Sequence, residues 1–128
     1  MNLLLVALGG ASGSVLRYLV GAFVSRHAPA DFPYATLAVN ILGCFVIGLL
    51  VPAFIPHAPS ASSGHMHAKL LLVTGLLGGF TTFSAFGLET YSLFRSGHPT
   101  LAALNIVASL LCTLAAVALG VRLGRLWI

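Results

Sequence analysis

The sequence predicts an all-α membrane protein built from four transmembrane helices. Three observations carry this. Hydrophobic residues make up 59% of the 128 positions and charged ones only 6%, where soluble domains carry roughly a quarter. Mean hydropathy is +1.05, so a water-soluble fold would have almost nothing with which to cover its surface. The apolar residues fall into four long runs, separated by short stretches rich in proline, glycine, histidine and charge.

The first span runs from about Leu3 to Val24, roughly 33 Å at the α-helical rise, enough to cross the hydrocarbon. It starts without a basic leader and carries an arginine, which argues against a cleaved signal peptide. Within "GGASGSVLRYLVG", Gly9, Gly13, Arg17 and Gly21 recur every four residues and share one face. The glycines suit close helix approach. Arg17 is costly inside a span. It either anchors toward the headgroups, sits in an aqueous vestibule, or touches a transported anion.

"SRHAPADFP" reads as a loop. The second span runs from about Tyr34 to Phe54, with Pro52 and Pro56 marking its end. Thr36, Asn40 and Gly43 lie on one face. A buried amide needs partners for both donor and acceptor, so Asn40 is either glue between helices or part of a polar path. "PHAPSASSGHMH" reads as a surface loop. Its His57, His65 and His67 lack a nearby carboxylate and make a poor metal set. Cys44 and Cys112 sit in apolar runs and read as small buried hydrophobes.

The third span runs from about Lys69 to Phe94 and holds "GGFTTFSAFGLE", residues 78–89. Glycines followed by two β-branched threonines make a poor helix interior, so the third helix is expected to break. Unwound backbone at membrane depth must be buried in protein or line a watery cavity, and its freed carbonyls suit a cation. Phe83 and Phe86 share a face. Their positive ring edges attract a small anion weakly, or the rings are simply core or lipid-facing filler. Glu89, one turn on, either caps a polar track or sits near the interface.

"RSGHP" is a tight connection. The fourth span runs from about Thr100 to Leu123, with Arg122, Arg125 and Trp127 at its interfacial end. Asn105, Ser109 and Thr113 recur every four residues. The stripe is either a helix contact or a polar track.

Charge and motif exclude several classes. The net charge of +4 comes from singly scattered basic residues, so nucleic-acid binding is not indicated. Four spans put both termini on one side, with Lys69, Arg122 and Arg125. Arg26 and Arg95 stand on the other side. That balance is too even to fix an orientation. It either permits insertion both ways up, and hence an antiparallel two-fold dimer, or carries no message. The acids are Asp31, in a loop, and Glu89, which weakens a proton-coupled antiporter. No nucleotide-binding motif, HExxH motif or thiol pair is present, so neither an enzyme nor an active pump is indicated. The residues alone stop at passive passage of an anion or small polar solute.

"GGASGSVLRY", "TLAVNILGCFVIG" and "GLLGGFTTFSAFGLE" together resemble the fluoride channels of bacteria and archaea, the CrcB or Fluc family. The resemblance covers all four spans, and its most specific part is the Gly-Gly-x-Thr-Thr-Phe-Ser run. It implies an antiparallel dual-topology homodimer in the bacterial or archaeal cell (inner) membrane, with no soluble partner. It also implies two fluoride pathways along the subunit interface. The helix break is then expected at Gly78–Thr81, with the carbonyls of Gly78 and Thr81 from both subunits holding a structural sodium ion. Phe83 and Phe86 are the implied pore-lining rings, Asn40 the vestibule asparagine and Arg17 the corresponding arginine. Ser84, Ser109 and Thr113 are candidates for the polar track. Glu89 and Asn105 are vestibule or structural positions. A small proton-coupled antiporter and a non-transporting scaffold are the competing readings, and some members of the family pair two unlike chains.

Overall fold

The computed structural model describes residues 1–54 and 63–126. Pro56, His57 and Trp127 lie outside the described residues. All regular structure is helical: α1 (Asn2–His27), α2 (Tyr34–Phe54), α3 (Ser63–Lys69), a π-helical run (Leu70–Leu77), α4 (Gly78–Phe80), α5 (Phe83–Arg95) and α6 (Pro99–Gly124). Four helical stretches are long and apolar enough to cross a membrane: Asn2–His27, Tyr34–Phe54, Gly64–Arg95 and Pro99–Gly124. The first span thus extends about a turn beyond Val24. Its last turn carries Arg26 and His27, which suit the negative end of the helix dipole. "SGHMH", read as loop, is helical.

Two glycine-mediated contacts organise the spans. On one side, α1 lies against the π-helical run and α4. A Cβ at Gly13 would stand 2.8 Å from the Phe80 nitrogen, and one at Gly79 3.0 Å from the Gly10 Cα. On the other, α2 lies against α6, where a Cβ at Gly120 would meet the Gly48 Cα at 3.0 Å. Such approach is the main source of attraction between helices in lipid, because apolar side chains gain nothing by leaving it. Gly21, expected on the same packed face, has open space around it.

No more than 22% of the most apolar window of any span is buried within the chain. The hydrophobic surface is therefore left for lipid or another subunit. Cys112, read as buried, is exposed on α6, and Cys44 is half-buried. The turn from α5 to α6 is set by Gly97 at φ 81°. Its N–H donates to the Phe94 carbonyl, and the His98 N–H to that of Leu93, the paired bonds that close a helix through a left-handed glycine. Pro99 then opens α6 at a position that needs no N–H.

Candidate functional site

The third span is interrupted at Thr81 and Thr82, not at the glycine pair. Thr81 (φ −79°, ψ 159°) and Thr82 (φ −151°, ψ 119°) are extended, while Gly78 and Gly79 remain helical. The break was expected over Gly78–Thr81, and it falls at the C-terminal end of that range and one residue beyond. Packing holds Gly79 against α1, and the β-branched threonines take the extended conformation they favour. Upstream, Leu70–Leu77 is π-helical, a wide geometry common near functional sites.

Asn40 of α2 holds the interruption. Its Nδ2 donates to the Thr82 carbonyl at 3.0 Å, and its Oδ1 accepts from the Thr82 N–H at 2.8 Å. The side-chain amide stands in for a peptide group. The Thr82 N–H would have donated to the Gly78 carbonyl had the helix continued, so the bond to Asn40 releases that carbonyl. Thr82 also caps α5, its Oγ1 accepting from the Ala85 N–H at 3.2 Å and lying 3.1 Å from the Ser84 hydroxyl.

Beside the break lies an open-sided groove of about 520 Å³. Its polar lining is neutral: Asn40, Thr81, Thr82, Ser109 and Thr113, with Gly78 one turn before the break. Phe83 and Phe86 complete one wall, their ring centroids 5.2 Å apart. Phe83 is 82% exposed, so in a single chain its ring stands at an uncovered surface. The groove thus gathers Asn40, Gly78, Thr81, Phe83, Phe86, Ser109 and Thr113 from the candidate residues.

Arg17, Ser84, Glu89 and Asn105 do not line it. Arg17 is half-buried on α1, with Nη2 3.5 Å from the Ser14 hydroxyl. Ser84 is exposed. Glu89 accepts a 2.6 Å bond at Oε1 from Thr36, and its Oε2 is buried without a hydrogen-bond partner among the described residues. Asn105 is 2% exposed and joins α6 to α5 by donating to Thr90 Oγ1 at 2.8 Å.

Thr82 and Thr90 were missed by sequence reasoning. Thr82 carried a signal, since threonine followed by Phe-Ser-Ala before a helical run suits an N-cap. Thr90 carried none, because its role depends on where α6 places Asn105.

These features define a small polytopic membrane protein whose third span breaks beside a groove of neutral hydrogen-bonding groups and aromatic rings. The chain belongs to the CrcB family: the family model described as "CrcB-like protein, Camphor Resistance (CrcB)" matches residues 4–121. A relative from Agrobacterium fabrum, called a fluoride-specific ion channel FluC, is 53% identical over 98% of this chain and 97% of its own. Relatives of the same name from Rhizobium etli and Clostridium perfringens are 50% and 42% identical. They are matched over 94% and 96% of this chain and 94% and 93% of theirs.

Proposed function

We propose that this chain is a passive fluoride channel, working as an antiparallel dual-topology homodimer in the bacterial or archaeal inner membrane. The observation that carries the proposal is the groove itself. It brings amide and hydroxyl groups together with two phenylalanine rings, holds no carboxylate to repel an anion, and is open along one side. A second copy laid against that side would turn a groove into a conduit and cover the exposed Phe83. Two-fold symmetry would generate two such pathways. Full-length similarity to proteins called fluoride-specific ion channels supports fluoride as the ion.

Selectivity would follow from narrowness and from fixed donors that replace the hydration shell. Fluoride, the smallest halide and the strongest hydrogen-bond acceptor among them, gains most from such donors. Flow down its gradient would clear fluoride that enters as the neutral acid and dissociates inside.

A sodium ion is the proposed partner of the break. The fit rests on the donor set: the Gly78 carbonyl loses its helical donor to Asn40, and Thr81 beside it is extended. These two carbonyls from each of two chains would offer neutral oxygens suited to a hard cation. When bound, the ion would supply positive charge that favours nearby anions.

The test is efflux from liposomes holding only this protein, read with a fluoride electrode against chloride and without a pH gradient. Fast fluoride efflux with little chloride efflux, lost in Phe83→Ile and Asn40→Asp, supports the channel. Efflux that requires a pH gradient and Glu89 would instead indicate an antiporter. No flux from well-folded protein would sink the homodimeric channel and point to a second, unlike chain or a scaffold role.

A further inference from the structure

The hydroxyls that line the groove are not equally available to an anion. Their hydrogen-bond partners differ. Thr113 donates to the Ser109 carbonyl at 2.6 Å and Thr81 to the Leu77 carbonyl at 3.0 Å. The Thr82 hydroxyl lies 3.1 Å from that of Ser84. Ser109 is held differently. Its proton is directed at a side chain, Asn105 Oδ1, across 3.5 Å, the outer limit of a hydrogen bond.

Asn105 is fixed from its other end. Its Nδ2 donates to Thr90 Oγ1 at 2.8 Å, and the Thr90 hydroxyl donates in turn to the Phe86 carbonyl at 2.7 Å. The amide is 2% exposed and does not line the groove. Both of its ends are therefore engaged, one tightly to α5 and one loosely to Ser109.

We propose that Asn105 is a positioning residue that holds the Ser109 hydroxyl in a weak, reversible hydrogen bond, so that it can turn and donate to an anion in the groove. The alternative acceptor for Ser109 is the carbonyl one turn back on its own helix, at Asn105 itself. A bond there would resemble the short ones that commit Thr81 and Thr113. In the structure the Ser109 hydroxyl is directed at the Asn105 amide instead of that carbonyl, and is held loosely. When the Ser109 hydroxyl turns to donate its hydrogen bond to an anion, Asn105 loses only a weak bond and stays anchored by Thr90. This deepens the channel proposal and rests on it.

The test compares wild type, Asn105→Leu, Ser109→Ala and the double variant in liposomes, with fluoride efflux measured against fluoride concentration. Asn105→Leu lets Ser109 fall back on its own helix, and one ordinary hydrogen bond must then break for each ion. The concentration for half-maximal efflux is expected to rise about five-fold, the equivalent of one net hydrogen bond. The fluoride-to-chloride ratio falls with it. With Ser109→Ala already present, Asn105→Leu adds nothing further if it acts through Ser109.

Additive effects of the two substitutions, or an unchanged half-maximal concentration in Asn105→Leu, would overturn the inference. Should Asn105→Leu fail to fold, Thr90→Val removes the anchor alone. It is expected to raise the half-maximal concentration in the same direction, and no rise would overturn the inference. A wild-type chain that passes no fluoride defeats the channel proposal and this inference together. A conducting wild type with an indifferent Asn105→Leu defeats only this inference.

Discussion

Asn40→Leu isolates what holds the broken span. Leucine has the branching and heavy-atom count of asparagine, so the side chain keeps its shape while two hydrogen bonds to Thr82, of 3.0 and 2.8 Å, are lost. As the N-cap of α5, Thr82 still offers its C=O to the first helical bond, whereas its N–H is left without a partner. Leaving a buried polar group unsatisfied costs about 1–3 kcal/mol. Both groups border the groove, and Thr82 is half-buried, so water entering there recovers part of that. The expected loss is about 1–3 kcal/mol, a large share of the stability of a small domain. Asn40→Asp keeps the acceptor for the Thr82 N–H and loses the donor, so it should fall between Asn40→Leu and wild type. Denaturant unfolding in mixed micelles measures the loss, and hydrogen exchange at the Thr82 amide locates it. An Asn40→Leu chain within about 0.5 kcal/mol of wild type, the range of an ordinary surface substitution, would refute the clamp. So would a Thr82 amide exchanging no faster.

Four further outcomes follow from the packing and the polar contacts. Gly13→Ala places a Cβ 2.8 Å from the Phe80 nitrogen and 2.9 Å from the Leu76 carbonyl carbon; it should cost about 1–3 kcal/mol in the same unfolding assay. Gly21→Ala, in open space, should sit within about 1 kcal/mol of wild type on the stable side. Thr36→Val removes the 2.6 Å donor to Glu89 and leaves both carboxylate oxygens without a partner, an expected loss of about 1–3 kcal/mol that Thr36→Ser should restore. Replacing sodium by a bulky organic cation should lower the melting temperature of the purified protein, and equal melting in both would argue against a cation at the Gly78 and Thr81 carbonyls.

The four spans were legible because their cause is local. Hydropathy and turn residues such as Gly97 and Pro99 act where they stand. The break was legible as an event, and its place only to within a few residues: Thr81 was in the expected range, Thr82 was not. "GGFTT" announces a poor helix, and two forces choose between its residues. Gly79 is needed for contact with α1, so it stays helical. Thr82 is taken by Asn40, forty-two residues earlier in the chain, so it is drawn out. Neither force is visible within the stretch itself. The π-helical run was not legible, since its longer hydrogen-bond step has no residue signature, and "LLLVTGLL" reads equally well as α-helix. The stripe of Asn105, Ser109 and Thr113 was legible as a face. Its division into Asn105, turned toward α5, and Ser109 and Thr113, turned to the groove, depends on where α5 lies.

The sequence left Asn40 as either glue between helices or part of a polar path; in the structure it bonds the broken span and lines the groove at once. A helix can open beside a membrane groove only if the peptide groups it frees find partners. A charged side chain would satisfy one polarity and bring an uncompensated charge. An amide offers a donor and an acceptor in the spacing of a peptide and brings none. The residue that stabilises the opening must therefore stand at the groove, because that is where the opening is. Asn40 retains a second N–H beyond the one given to Thr82. Glue of this kind delivers a fixed, neutral donor to the groove wall, with its orientation set by the backbone that it holds.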